Sequence, residues 1–284
     1  MATASPDVLA PLTQAAAMLL RSTGGTGMRS LTRRYADALL EGQISDGGVR
    51  GFYSGNRTNE ISLSTTLRAG IALTSAYRAT GDERYAKAVR AVAASATRPA
   101  FGLVRLRDGY AMRAKQLPRR FSVALSALAS QFFTASSEVE GTALDAFARG
   151  ALKTVASSQA AVGRWFAYVG GRTPMTLEQW GSTLTSLAAL PYSEARGITG
   201  AGVTALAEAA FKDDGDVRVG TLTGGGQKDI ARALQALASD PTQRQTEKVF
   251  AKSARRLVSA PENAAVSAEL ALAFAIWQQS IAPS

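Results

Sequence analysis

The chain has no cysteine and no histidine among its 284 residues. The first absence excludes disulfides and leaves the redox compartment unread. Together they exclude zinc held by the usual sulfur and imidazole ligands, a cysteine nucleophile and a histidine general base. An enzyme so built must draw on tyrosine, lysine or carboxylates, and the composition leans toward a non-catalytic protein. Aromatic residues make up only 7%, and the β-branched and aromatic runs that build sheets are rare. The apolar stretch 8–20 is interrupted by Pro11 and Gln14 and is too short to span a bilayer, so no transmembrane segment is expected. It follows no basic n-region, so no signal peptide is expected either. Localisation stays open, with a mature secreted or periplasmic domain favoured over a cytoplasmic one. No metal or cofactor is expected: the segment 220–228 is Gly-rich but lacks the Gly-Lys-Ser/Thr of a phosphate loop. Asp213, Asp214 and Asp216 lack the glutamate of a calcium-binding loop.

What is present is alanine, leucine and arginine. Hydrophobic residues make up 46% of the chain, enough for a sizeable core, and the Ala/Leu bias favours helices. The net charge is +10. Charge of this sign leaves acidic polysaccharide, nucleic acid and an anionic membrane surface open as partners, and says nothing of the fold. No recognised nucleic-acid motif accompanies it.

Periodicity and punctuation place eleven helices, at 6–21, 28–41, 62–80, 83–94, 121–136, 141–158, 177–190, 200–211, 228–238, 242–258 and 263–281. Asp82 is placed to cap the helix that follows it. The segments 42–60 and 97–120 read as irregular. A module recurs three times, a Gly-rich turn followed by a small-residue helix: 46–55 before 62–78, 163–172 before 177–190, and 220–226 before 228–238. The helices at 62–80, 121–136, 177–190, 228–238 and 263–281 carry less charge than their partners, as helices buried on both sides do. This pattern predicts an all-α fold, one α/α toroid domain over residues 1–284. It is a ring of helical hairpins, complete or incomplete, with inner helices around a cavity.

The repeat itself, Asp46-Gly47-Gly48, then Ser62-Leu63-Ser64-Thr65-Thr66, then Ala76 through Tyr85, resembles that of the six-hairpin glycosidase and terpenoid-cyclase-like toroids; 163–190 resembles it again. That superfamily holds polysaccharide lyases, uronyl epimerases, glycoside hydrolases and prenyl or terpene cyclases. The Asp-x-Asp-Asp acid of class II terpene cyclases is missing, with Lys212-Asp213-Asp214-Gly215-Asp216 in the wrong order. The zinc ligands of protein prenyltransferases and lanthionine cyclases are missing too. Gly163-Arg164-Trp165 through Arg172-Thr173-Pro174 is similar to an arginine- and aromatic-bearing loop of toroidal pectate lyases, whose Asn-Gly-Gly-Trp-Pro signatures are absent here. The resemblance points to the polysaccharide-active members, with the lyases nearest in character.

Three constellations suit such chemistry. The stretch 105–120 holds six basic residues and one acid, including Arg107, Arg113 and Lys115, donors that match the carboxylates of an anionic polymer. The first turn offers Arg50, Tyr53, Arg57, Asn59 and Glu60; the second offers Arg164, Trp165, Tyr168, Arg172, Glu178 and Trp180. Flat rings stack on sugar faces, and arginine grips uronates. β-Elimination needs a cation on the uronate, a base for the C5 proton and an acid for the leaving oxygen. Without histidine the base falls to Tyr53, Tyr110 or Tyr168, with Arg172 or Arg57 as the neutralising cation. Arg50, Arg57, Glu60, Arg107, Arg113, Lys115, Trp165, Glu178 and Trp180 are then substrate-binding. A hydrolase would instead need two carboxylates, for which Glu60 and Glu178 are placed. Packing between hairpins is the competing role of Trp165 and Trp180. A non-catalytic toroid binding a glycan or a protein, and a cyclase-like pocket for an apolar molecule, stand as alternatives. The functional side is expected where the first two turns meet 105–120.

Overall fold

Local chemistry sets the helix ends. Ser5 caps α1 (Pro6–Thr23) by accepting from the Asp7 amide, and Pro6 stands at the first helical position. Gly24 ends the helix in the left-handed conformation, φ 68°. The same grammar recurs at α3 (Leu63–Thr80), capped by Ser62 and ended by Gly81 at φ 70°. Asp82 then caps α4 (Glu83–Ala96) through the Arg84 amide. Thr176 and Gln179 form a reciprocal capping box on α7 (Leu177–Ala188).

The computed structural model describes residues 4–46, 49–53, 61–98, 102–114, 117–140, 144–160, 163–211, 226–239, 244–259 and 261–281. Among the described residues eleven helices occur; the others are α2 (Thr26–Glu41), α5 (Val123–Glu140), α6 (Asp145–Ser157), α8 (Ser193–Ala210), α9 (Gln227–Ala238), α10 (Arg244–Ser259) and α11 (Ala264–Ile281). Helices α1, α3, α5, α7, α9 and α11 pack each on the next, and α11 returns to α1, closing a ring. Helices α2, α4, α6, α8 and α10 pack around it, each against the inner helix that precedes it in the chain. The fold is an α/α toroid. The ring has six inner helices, because α1 joins the five that low charge had marked.

Two apolar clusters fill the space between the layers. One gathers Leu39, Leu67, Leu73, Tyr85, Val89, Phe132 and Phe133 around α1–α5. The other gathers Trp165, Leu177, Trp180, Leu184, Val203, Leu206, Leu234, Leu237 and Phe250 around α5–α11.

Antiparallel hairpins make every inner helix run the same way, so their N-termini share one end of the ring. The connections at the opposite end are short, Gly24-Gly25 and Gly81-Asp82 among them. Those entering α3, α5, α7 and α9 at the N-terminal end are long, and the first two are partly stranded. β1 (Ile44–Asp46) pairs antiparallel with β2 (Val49–Phe52) ahead of α3. β3 (Leu103–Arg105), β4 (Tyr110–Ala114) and β5 (Leu117–Ser122) form an antiparallel sheet ahead of α5. The segment 97–120, expected to be irregular, is therefore largely a small sheet. Its strands are short, and arginines on each obscure the alternating pattern a strand shows in sequence.

Candidate functional site: an arginine cleft at the long-loop end

The second Gly-rich turn is fastened to β5. The Val169 amide donates to the Phe121 carbonyl at 3.0 Å, and the Val123 amide donates to that of Ala167 at 3.2 Å. Ser122 and Tyr168 form an isolated bridge. Gly170 takes φ 68°, a conformation open to glycine without strain, and lets the turn reverse. Between turn and strand lies a cleft of about 530 Å³, lined by Arg119, Arg120, Phe121, Tyr168, Val169, Gly170, Gly171, Arg172 and Thr173. Three guanidinium-bearing residues and a phenol thus share one concavity with no carboxylate in its lining. The Arg120 guanidinium sits 5.3 Å from the centre of the Tyr168 ring, a cation–π placement.

The other residues singled out from the sequence are distributed as follows. Tyr53 is fully buried, and its hydroxyl donates to the Leu39 carbonyl at 3.0 Å. Burial pushes that phenol far up, against a weaker opposing bond with Gln43, so Tyr53 is held neutral and away from the cleft. Tyr110 stacks edge-on against Phe147 at 5.0 Å. Trp165 is 4% exposed, its indole donating to the Val155 carbonyl at 3.0 Å. Trp180 is 5% exposed, and its indole nitrogen has no hydrogen-bond partner among the described residues. Both tryptophans belong to the core between hairpins. Arg107 is exposed in the turn between β3 and β4, and Arg113 is exposed on β4 opposite Phe121. Arg50 lies on β2 opposite Ser45; its side chain, and all of Arg57, Glu60 and Lys115, lie outside the described residues. So does the third turn, 220–225, together with Asp213, Asp214 and Asp216. The structure brings Tyr168 and Arg172 together and adds Arg119 and Arg120.

Glu178 is elsewhere, in an ion network that composition did not foretell. The sixth residues of four inner helices meet inside the ring: Arg68 of α3, Ser182 of α7, Arg232 of α9 and Glu269 of α11. Glu269 accepts from Arg232 Nε at 3.0 Å and Nη2 at 2.9 Å, and from Gln235 at 2.7 Å. Arg68 reaches Glu269 at 3.7 Å and donates to Ser182 at 2.8 Å. The remaining edge of Arg232 pairs with Glu178, in the first turn of α7. Helices α3 and α7 are not neighbours in the ring, and neither are α3 and α11, so the network crosses its interior.

Burial alone would raise the Glu269 carboxyl; Arg232 and Arg68, with the hydrogen bonds from Gln235 and Arg232, outweigh it and hold the carboxyl below the usual range. At Arg232 burial prevails, with Arg68 as a like charge, and the guanidinium is held below its ordinary value. A guanidinium still ionises throughout the physiological range. A single charge in an otherwise uncharged inner helix, Glu178 in α7 and Glu269 in α11, was the signal in the sequence. Among the described residues no group of acids able to hold a metal ion occurs, and no helix is long and apolar enough to cross a membrane.

No protein-family profile matches the sequence, and no curated protein matches it. Solved structures do. A family 76 glycoside hydrolase from a bovine Bacteroides thetaiotaomicron strain superposes with a TM-score of 0.72 at 14% identity, over 97% of this chain and 70% of that one. What the two share is the fold, an α/α toroid. Cellobiose 2-epimerase from Bacillus thermoamylovorans is similar with a TM-score of 0.67 at 8% identity, over 95% of this chain and 87% of its own. An unsaturated glucuronyl hydrolase from Bacillus sp. GL1, described as responsible for the degradation of glycosaminoglycan, is similar with a TM-score of 0.56 at 16% identity, over 78% and 66%. Identities this low carry the architecture and leave the chemistry to this chain's own residues.

Proposed function

We propose that this protein acts on an acidic glycan held in the arginine cleft, cleaving it at a uronate by β-elimination. The observation that carries the reading is the union of Tyr168 with Arg119, Arg120 and Arg172 in a cleft lined by no carboxylate. Guanidinium donors match a uronate carboxylate in pairs, and they stabilise the charge that develops on it as the C5 proton leaves. The Tyr168 oxygen takes that proton as the general base. The C5–H electron pair forms the C4–C5 double bond, the C4–O bond breaks, and the departing oxygen takes a proton from water. The glycan-processing activities named for the structural neighbours support a sugar substrate; the arginines support an acidic one.

Incubation with a panel of uronic-acid polymers, followed by the ultraviolet absorbance of unsaturated chain ends, tests the reading. Tyr168→Phe is expected to lower kcat about 10²- to 10⁴-fold, the usual scale for loss of a proton-transfer group. Arg172→Ala is expected to raise KM. No absorbance with any polymer would overturn the elimination chemistry. Binding of those polymers without cleavage, weakened by Arg172→Ala, would leave a glycan-binding toroid in its place.

A further inference from the structure

The ring has six inner helices and, among the described residues, five outer ones. Helices α2, α4, α6, α8 and α10 each back the inner helix before them, and among the described residues none follows α11 to back it. The outside of the ring between α11 and α1 therefore keeps a helix face in solvent. The consequence is visible at Phe274, which is 43% exposed in the middle of an inner helix whose other side is buried. Phe250 of α10 meets Phe274 edge-on at 5.5 Å and stacks on Trp277 at 4.7 Å, so α10 covers one flank of this face. On the other flank Met18 and Leu19 of α1 and Ala271 of α11 are only partly buried. Exposed apolar surface of this kind marks a place where another surface docks.

Ser267, Ala271, Phe274 and Gln278 stand at i, i+4, i+7 and i+11, one stripe along the outward side of α11. Ser267, Phe274 and Gln278 are exposed, and Ala271 is half-buried. The stripe holds no charge. The one charged residue of α11 is Glu269, buried on the opposite side of the helix, and α1 has none from Val8 to Leu20. On a chain of net charge +10, such a face offers an anionic partner nothing and is where two like-charged copies repel least. The order of its residues is also self-matching. Two such stripes, laid antiparallel about a twofold axis at the level midway between Leu272 and Ala273, set Ala271 of one copy opposite Phe274 of the other. The same placement sets Ser267 opposite Gln278. Small meets large and polar meets polar, twice over.

We propose that a second copy of this chain covers this face, the two α11 helices pairing antiparallel so that each backs the other as an outer helix would. Both copies use the same patch, so the association is closed and stops at two. Contact centred on one helix pair lies at the small end of specific interfaces, so the dimer is expected to come apart at about micromolar concentration. The arginine cleft stands at the entry to α5 and α7, across the ring from α11 and α1. Pairing therefore leaves both clefts open, and the inference is independent of what they bind.

Sedimentation velocity of the intact chain, over concentrations from about 1 to 500 μM, is the test. The mean mass should rise from one copy to two and no further. Phe274→Glu should weaken the dimer roughly 30-fold or more, the scale of losing a central aromatic contact. Phe274 also touches Phe250, so a second arm uses exposed polar positions alone. Ser267→Lys/Gln278→Lys sets like charges opposite each other and should abolish association. Ser267→Glu/Gln278→Lys sets opposite charges there and should keep it, with an affinity that falls as salt rises. One copy at every concentration overturns the inference, and so does growth beyond two. A dimer untouched by Phe274→Glu overturns it by placing the contact elsewhere. Equal effects of the two double variants overturn the antiparallel register on which it rests.

Discussion

Trp165 and Trp180 are buried to the same degree, 4% and 5% exposed, yet only Trp165 makes an indole hydrogen bond. Replacing both by phenylalanine, one at a time, removes similar volume but different polar consequences. Trp165→Phe is expected to cost roughly 1 kcal/mol more than Trp180→Phe, because the first loses a made bond and the second relieves an unpaired donor. Urea denaturation of the two variants measures the difference; equal losses would show that volume alone decides. Their aromatic character was plain in the sequence, but the same residue type serves a sugar platform or a core wedge. The choice lay in which hairpin covers them, as it did for Tyr53, which the sequence sets beside a Gly-rich turn and the fold buries against α2.

At the scale of elements, helix ends were the most legible feature, because caps and glycine stops act within a few residues of the ends they fix. Ser62, Gly81, Asp82 and Thr176 all do in the structure what their types predict. Thr176→Ala is expected to cost about 1 kcal/mol by removing one half of the capping box, measurable as a lowered melting temperature. Less legible was the pairing of elements. Gly181 is an instance: a Cβ there would meet the backbone of Arg232 and Ala233 at 2.8 Å, so its small size lets α7 lie close against α9. That approach is what brings Glu178 within reach of Arg232. Gly181→Ala is expected to destabilise by about 1–3 kcal/mol through overpacking. The loss is read as a lowered urea midpoint. The sheet β3–β5 escaped the sequence reading for a related reason: its strands are short and hold each other, and Pro118 stands on the edge strand β5, where proline is tolerated.

For the whole molecule, the interior network ties α3, α7, α9 and α11 together across the ring. Glu269→Ala leaves Arg232 buried without its main partner and is expected to cost about 3–5 kcal/mol at neutral pH. The double variant Glu269→Leu/Arg232→Met is expected to cost less than either single change, since the two most buried charges go together and the charges that lose a partner, Arg68 and Glu178, keep contact with solvent. Denaturant midpoints of the three variants decide this. The carboxyl of Glu269 is held below its unfolded value. Its stabilising contribution is therefore complete above the ordinary glutamate pKa of about 4.3 and is lost as the pH falls through the lower folded value. The gap in stability between the wild-type protein and Glu269→Gln is expected to be wide at pH 7 and to narrow below about pH 4. A gap independent of pH would assign Glu269 a packing role only.

Residue types and their spacing were enough for an all-α chain, its hairpin order and the long-loop end, because periodicity, caps and glycine turns are local properties that a chain carries with it. They were also enough to mark Tyr168 and Arg172 in one turn. Only the closed ring decided which long loops touch. It fastened the second turn to β5 and so gathered Arg119, Arg120, Tyr168 and Arg172 into one cleft, and it took Tyr53 and both tryptophans out of solvent. It also brought Arg68, Glu178, Arg232 and Glu269, from four helices far apart in sequence, into one network inside the ring. Contacts of that kind depend on how helices pack around a common axis, and packing is set by all of the helices together rather than by any one of them.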